Sequence, residues 1–166
     1  VWVPDENFLG TEPGQGLVEV GEILGEVRLM VGASALGLAR AAYTEALEFS
    51  RKRIAFGKPI GSFQLIREKF ANMDMEMNAA RLMLYYGAWL LEKGMDVTTA
   101  AAEAKVYATE VCLKVVDELT RIYGANAFAH EYAPQRYFRD ARLFLYGGGT
   151  HEVLRDFIGR KLIGRM

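Results

Sequence analysis

Residues 53–64 read RIAFGKPIGSFQ, and this stretch decides how the chain is organised. It leaves one strongly helical segment and enters another through Gly57 and Pro59. Proline fixes φ and lacks an N–H, while glycine takes conformations that other residues adopt only at a cost, so one helix must end here. Ile60 anchors the turn, and Phe63 with Gln64 opens the next helix. A cation, an aromatic ring and an amide are thereby held on a helix–helix corner. On spacing alone the corner reads as plain architecture, since most helical hairpins need one.

Upstream of the corner, residues 17 to about 52 carry a helical pattern whose middle, 32–42 (GASALGLARAA), is crowded with small residues. Glycine costs a helix roughly 1 kcal/mol relative to alanine and is tolerated where another backbone or a flat ligand approaches closely. Downstream, Ile66, Phe70, Met73, Met77, Ala80, Leu84, Gly87 and Leu91 form one apolar stripe at steps of four and three, which places a second helix over about 61–93. Gly94 ends it as a C′ residue. A third helix follows the capping oxygens of 96–99, with Ala101, Ala104, Ala108, Val111, Val115, Leu119 and Ile122 repeating the spacing. A loop at 124–134, a short helix containing RYFRDAR (136–142), the glycine run 147–149 and a last helix from near Thr150 complete the chain. That helix runs toward a basic tail at Arg160, Lys161 and Arg165. The fold class is all-α, an antiparallel up-and-down four-helix bundle over 17–166. Residues 1–16 (VWVPDENFLGTEPGQG) read as a residual strand and linker from a preceding β-domain, because a lone strand is not stable.

Composition narrows the functional classes. The 166 residues are 51% apolar and 25% charged with a net charge of −1, the balance of one globular domain. Nothing in that charge marks a nucleic-acid or anionic-membrane surface. No apolar run has the length of a membrane span, and no leader pattern opens the sequence. Cys112 stands alone in an apolar helical pattern, which suits a reducing compartment. With only His130 and His151 and no CxxC, no metal site is expected. The glycines at 147–149 could form an anion nest or serve as a flexible connector.

The segment RIAFGKPIGSFQLIREKFANM resembles the signature between the first two helices of the C-terminal domain of acyl-CoA dehydrogenases. The resemblance spans the chain. VWVPDENFLGTEPGQG is similar to the exit of that family's middle β-domain, and Arg28, Gly37, Leu38, Ala39 and Ala41 match its RxxxAxxxxGxAxxA pattern. AAEAKVYATE, RIYGANAF, EYAPQRYFRDARLF and GGTHEVLR follow in the family's order. The resemblance implies an FAD-dependent removal of α and β hydrogens from an acyl-CoA thioester, with electrons passed to an electron-transfer flavoprotein. It implies a dimer or tetramer in which the third and last helices carry most of the subunit interface. Arg53, Phe56, Phe63 and Gln64 would meet the FAD of a neighbouring subunit. Arg121 and Gly124 would face the flavin from across the dimer, while Thr150 and Glu152 would hold the cofactor's other end. Arg28 and Gly149 would border the acyl-CoA. The compartment implied is the cytoplasm, or the mitochondrial matrix in a eukaryote.

The match departs from the family where the chemistry is done. The family's base, the glutamate of YEGT, falls on Gly148, and the alternative base position before Arg28 falls on Val27. Neither can accept a proton. Glu26 is the nearest carboxylate, but one residue turns a helix by about 100°, so it would reach the pocket only from a shifted or unwound helix start. His151 is the other candidate, an imidazole beside the flavin end, although a histidine at the first position of a helix is more often a surface residue. Arg121 replaces a glutamine, and Ala125 and Ala127 replace glycines, each adding bulk to a loop that passes close to FAD. Three readings follow: a dehydrogenase with a displaced base, inactive as an isolated domain; a non-catalytic partner subunit of a heteromeric enzyme; or a helical assembly module.

Overall fold

A computed structural model describes residues 1–8, 10 and 13–164. Leu9, Thr11 and Glu12 of the expected linker, and Arg165 of the expected basic tail, lie outside the described residues. Residues 1–4 carry no regular structure and Asp5–Asn7 form a 3-10 turn, so the strand expected at the start is not formed there. A strand without a paired neighbour has no ladder to bond to.

Three long helices build the bundle: α1 (Gly16–Lys52), α2 (Gln64–Glu92) and α3 (Thr98–Tyr123). Their order is up, down, up. Leu29 packs at Gly87 while Tyr43 meets Phe70, so α1 and α2 run antiparallel. Lys69 pairs with Glu118 and Glu76 with Lys114, so α2 and α3 do too. Gly25 meets Val97, and Gly32 meets Lys105, which leaves α1 and α3 parallel. The shorter α4 (Pro134–Leu143) and α5 (His151–Ile163) pack on α3 and complete the bundle.

The small residues of α1 explain its closeness to α3. Ala35, Ala39, Ala42 and Ala46 are fully buried at helical spacing and form a flat seam. Gly87 serves the same end on α2, since a Cβ there would stand 2.6 Å from Leu29 Cδ2. Asp96 starts α3 as expected: its Oδ1 accepts from the Thr98 N–H at 2.9 Å and the Thr98 hydroxyl at 2.6 Å.

The α2 stripe is buried at Phe70, Met73, Met77, Ala80, Leu84 and Gly87 and then shifts to Leu90, with Leu91 half-buried. α3 buries every expected position and a second face as well: Ala102, Lys105, Val106, Thr109, Cys112 and Val116. It is the central helix. The expectation that α3 would carry much of a subunit interface is therefore corrected, because α1, α2, α4 and α5 already cover it. Among the described residues no helix is long and apolar enough to cross a membrane.

Candidate functional site

The 53–64 corner holds more than a turn between helices. Ile54–Ala55 and Lys58–Pro59 pair as a two-residue antiparallel ladder, an element absent from the all-helical expectation. The two residues between them, Phe56 and Gly57, have φ of 53° and 78°. Positive φ at both central residues is what the tight hairpin turn demands, and glycine meets it without strain. Phe56 meets it at a cost and with its ring 95% exposed. That ring stands edge-on to Phe63, and Lys58 Nζ lies 4.5 Å above the Phe63 ring. Arg53 is exposed at the C-cap of α1, and Gln64 is exposed at the first position of α2.

Tyr123 stacks on Phe49 at 3.9 Å and its hydroxyl donates to Glu45 at 2.5 Å, which brings the 121–124 segment to the same end of the bundle as the corner. Gly124 terminates α3 with φ 60°. Arg121 is exposed and already engaged, donating from Nε to Asp117 at 2.7 Å one turn back. That pairing raises its pKa further.

A second cluster sits at the other end of α1. Residues 28 and 53 lie 25 positions apart along α1 and its C-cap, about 37 Å at 1.5 Å per residue. Here Arg28 Nε donates to the Gly148 carbonyl at 3.1 Å, and its guanidinium lies 5.8 Å from the centre of the Phe157 ring. Gly148 and Gly149 have φ of 71° and 108°, so the turn that reaches Arg28 needs glycines. A Cβ at position 148 would stand 3.4 Å from Arg28 Cγ and 3.9 Å from Val31 Cγ2. The glycine turn and α1 thus meet at one point, and neither Gly148 nor Val27 carries a carboxylate.

The turn is held from behind by Lys105. Its ammonium is fully buried and donates to the Leu145 carbonyl at 3.1 Å and the Gly149 carbonyl at 2.8 Å. Burial, and then the charge of Arg28, pull its pKa down to about 8. Burial also lowers the pKa of Arg28. Among the described residues neither cation has a carboxylate within ion-pair distance. The sequence reading passed over Lys105. A signal was present: a lysine on the buried side of α3, with alanines or threonine at every position three and four away.

Thr150 caps α5 by accepting from the Val153 N–H, at a long 3.5 Å. Glu152 is exposed in the first turn, its carboxylate held low by backbone N–H and the Thr150 hydroxyl. His151 corrects the surface expectation, since it is 7% exposed. Nε2 lies 2.7 Å from Thr109 Oγ1 and Nδ1 lies 3.5 Å from Glu110 Oε1, so both nitrogens face α3. Glu110 in turn pairs with Arg155. Burial and the Lys105 charge lower the imidazole pKa, which keeps the ring neutral near pH 7. Glu26 does not join the cluster: it is exposed, and two residues from Arg28 it lies about 200° around the helix.

Comparison with known proteins gives one consistent result. A family model described as the acyl-CoA dehydrogenase C-terminal domain matches residues 14–163. The chain is 39% identical over 161 residues to a benzylmalonyl-CoA dehydrogenase of Aromatoleum aromaticum, covering 97% of this chain and 43% of that protein. Among solved structures, butyryl-CoA dehydrogenase from Megasphaera elsdenii superposes with a TM-score of 0.93 at 39% identity, covering 98% of this chain and 42% of that one. A chain of the structure described as the electron transferring flavoprotein of Acidaminococcus fermentans superposes with a TM-score of 0.93 at 35% identity, covering 98% and 43%. The chain spans less than half the length of these relatives.

Proposed function

The chain belongs to the acyl-CoA dehydrogenase family as its C-terminal domain, and from that premise we propose that it forms the helical walls of a flavin and acyl-CoA thioester site in an FAD-dependent oxidoreductase. The observation that carries the reading is the meeting of Arg28 with the 148–149 glycine turn, backed by Lys105. A half-buried cation, a half-buried glycine turn and the start of α5 converge there. This is the polar apparatus that a thioester and its flavin would need. Oxidation of an acyl-CoA at its α and β carbons is the reaction this supports, with an electron-transfer flavoprotein as the onward acceptor.

The residues present suit FAD. At the corner, the strained and exposed Phe56 ring offers a stacking face, and Arg53 beside it offers a guanidinium fork matched to phosphate. Phe63 and Gln64 would complete that contact, with Gly124 and Arg121 from the end of α3. Thr150 and Glu152 would hold the cofactor's other end. The two sets are about 37 Å apart along α1, so a single flavin contacting both draws them from different copies of the chain. This favours a dimer or tetramer. When bound, FAD supplies the two-electron acceptor. The chain's own residues bind and orient: Arg28 and Gly149 at the thioester, Lys105 behind the turn.

Arg53→Ala tests the cofactor half. In the full-length parent it should release FAD, read as loss of the 450 nm flavin band on gel filtration in roughly equimolar protein, and unchanged flavin content would remove the corner from the site. A second reading is favoured by a particular observation, the absence of a carboxylate at both 27 and 148. On that reading the chain is a non-catalytic partner subunit, which binds flavin or CoA beside an active neighbour.

A further inference from the structure

We propose that Tyr123 is a positioning residue for the cofactor: it ties the last turns of α1 to the end of α3 and so holds two separate sets of flavin contacts in one arrangement. This role rests on the FAD reading above. Arg53, Phe56, Phe63 and Gln64 belong to the corner, whereas Arg121 and Gly124 belong to the end of α3. Among the described residues no hydrogen bond joins the two sets directly. Helix ends are the least constrained parts of a bundle, since their last carbonyls lack partners and their turns open first. Two such ends do not by themselves keep a guanidinium and a ring at a set distance from a second helix.

Tyr123 joins them. It is 7% exposed, and its ring lies on Phe49 with 3.9 Å between centroids and 22° between planes. Its hydroxyl donates to Glu45 Oε1 at 2.5 Å, and Tyr132 meets the ring edge-on. Glu45 and Phe49 are four residues apart, so both contacts fall on one face of α1. Packing alone would be served by a phenylalanine. The hydroxyl adds a directional, charge-assisted bond to a carboxylate. Burial and then that carboxylate push the phenol pKa up, which keeps the group a donor at neutral pH.

From Phe49 the link continues through the backbone. The Phe49 carbonyl accepts from the Arg53 N–H at 2.8 Å, and the Arg53 carbonyl accepts from the Ile60 N–H at 2.9 Å. The Ile60 carbonyl in turn accepts from the Phe63 N–H at 3.1 Å. Gly61 is pressed onto the same end of α1, where a Cβ would stand 3.2 Å from the Ser50 carbonyl oxygen. On the other side, Tyr123 immediately precedes Gly124, whose N–H closes α3 on the Thr120 carbonyl. Movement of Tyr123 off Phe49 therefore separates the corner from the 121–124 segment. A cofactor that touches both binds more tightly when they are fixed beforehand, because it does not have to order them. Tyr123 is buried, so it acts through Arg53 and the corner and not by contact.

The test titrates FAD into the flavin-stripped full-length parent protein and its variants, followed by quenching of flavin fluorescence. Tyr123→Phe keeps the stacked ring and deletes the hydroxyl, and it should weaken FAD about tenfold, the loss of one charge-assisted hydrogen bond. Glu45→Ala should match it, while Glu45→Gln, which keeps an acceptor, should stay within about threefold of the parent. In an Arg53→Lys background, where the fork is already gone, Tyr123→Phe should add less than about twofold. Val111→Ala is the control for a merely structural loss: it opens a cavity in the middle of α3, so it should lower the melting point and leave FAD affinity unchanged. Affinity that falls in Val111→Ala as it does in Tyr123→Phe, or full additive loss in the Arg53→Lys background, makes Tyr123 structural only and overturns the inference. Affinity of Tyr123→Phe within about twofold of the parent, with Arg53→Ala still releasing flavin, overturns it too and leaves the cofactor reading intact. A parent that takes up no FAD, or that keeps it in Arg53→Ala, overturns the cofactor reading and the inference with it.

Discussion

On the proposed function, a glutamate placed at position 148 would put a base beside Arg28. The backbone there has φ of 71°, where a side chain costs about 1–2 kcal/mol, so Gly148→Glu should melt a few degrees lower than the parent. It should also begin to exchange the α-protons of a plain acyl-CoA with solvent deuterium, which mass spectrometry of the recovered thioester would register. Lys105→Met makes the opposite kind of change. It removes a buried charge but strips donors from the Leu145 and Gly149 carbonyls, each worth about 1–3 kcal/mol when left unmade. The melting point should fall, and flavin content should fall with it as the turn loosens. His151 makes the fold pH-sensitive. Its folded pKa is depressed, so the unfolded chain binds the proton more readily; stability is full above about pH 6.5 and is lost as pH drops below it. Melts at pH 7.5 and 5.5 should differ for the parent and converge in His151→Gln. Arg28 and Gly148 were legible in the sequence because each fills a fixed slot in an ordered set of motifs. Burial of His151 and Lys105 was not, since each is covered by an element 40 or more residues away, His151 by α3 and Lys105 by the glycine turn.

The helices were readable because their apolar residues repeat at the helical period. Where the reading slipped, the cause is geometric. At the end of α2 the buried residue is Leu90 and Leu91 is half-buried, where the chain turns off at Gly94 toward α3. The second buried face of α3 could not be read from its own pattern, because it reflects which neighbours dock on it. The hairpin at the corner was missed for a different reason: two-residue strands are too short for any alternation to show. Its turn yields a separable prediction. Phe56→Gly removes the strain of φ 53°, so the fold should gain about 1 kcal/mol in a denaturant melt. The same change deletes an exposed ring and should weaken flavin retention. Gain in one readout with loss in the other would mark a residue kept in a strained conformation for its contact; a gain in both would leave Phe56 without a role in binding.

Across the whole molecule, the side chains divide the surface unevenly. α2 turns outward Met75, Leu82, Tyr85, Tyr86 and Trp89, each at least 46% exposed, with Tyr86 and Trp89 stacked on one another. α5 adds Val153, Leu162 and Ile163. Isolated apolar residues on a surface need no explanation, but a contiguous aromatic and aliphatic stripe along four turns of a helix marks a face that is normally covered. The bundle itself does not supply the cover, because the opposite face of α2 is the one packed on α1 and α3. Residues 1–166 prepared alone should therefore associate, with an apparent mass in light scattering that rises with concentration. Leu82→Gln combined with Trp89→Gln should reduce that association while leaving the far-ultraviolet helical signal unchanged, since neither side chain enters the core. If the pair of changes unfolded the domain, α2 would owe its stability to this face and the surface would belong to the fold. If association persisted with the fold intact, the covering contact would lie on α5, where Leu162→Gln is the next change to make.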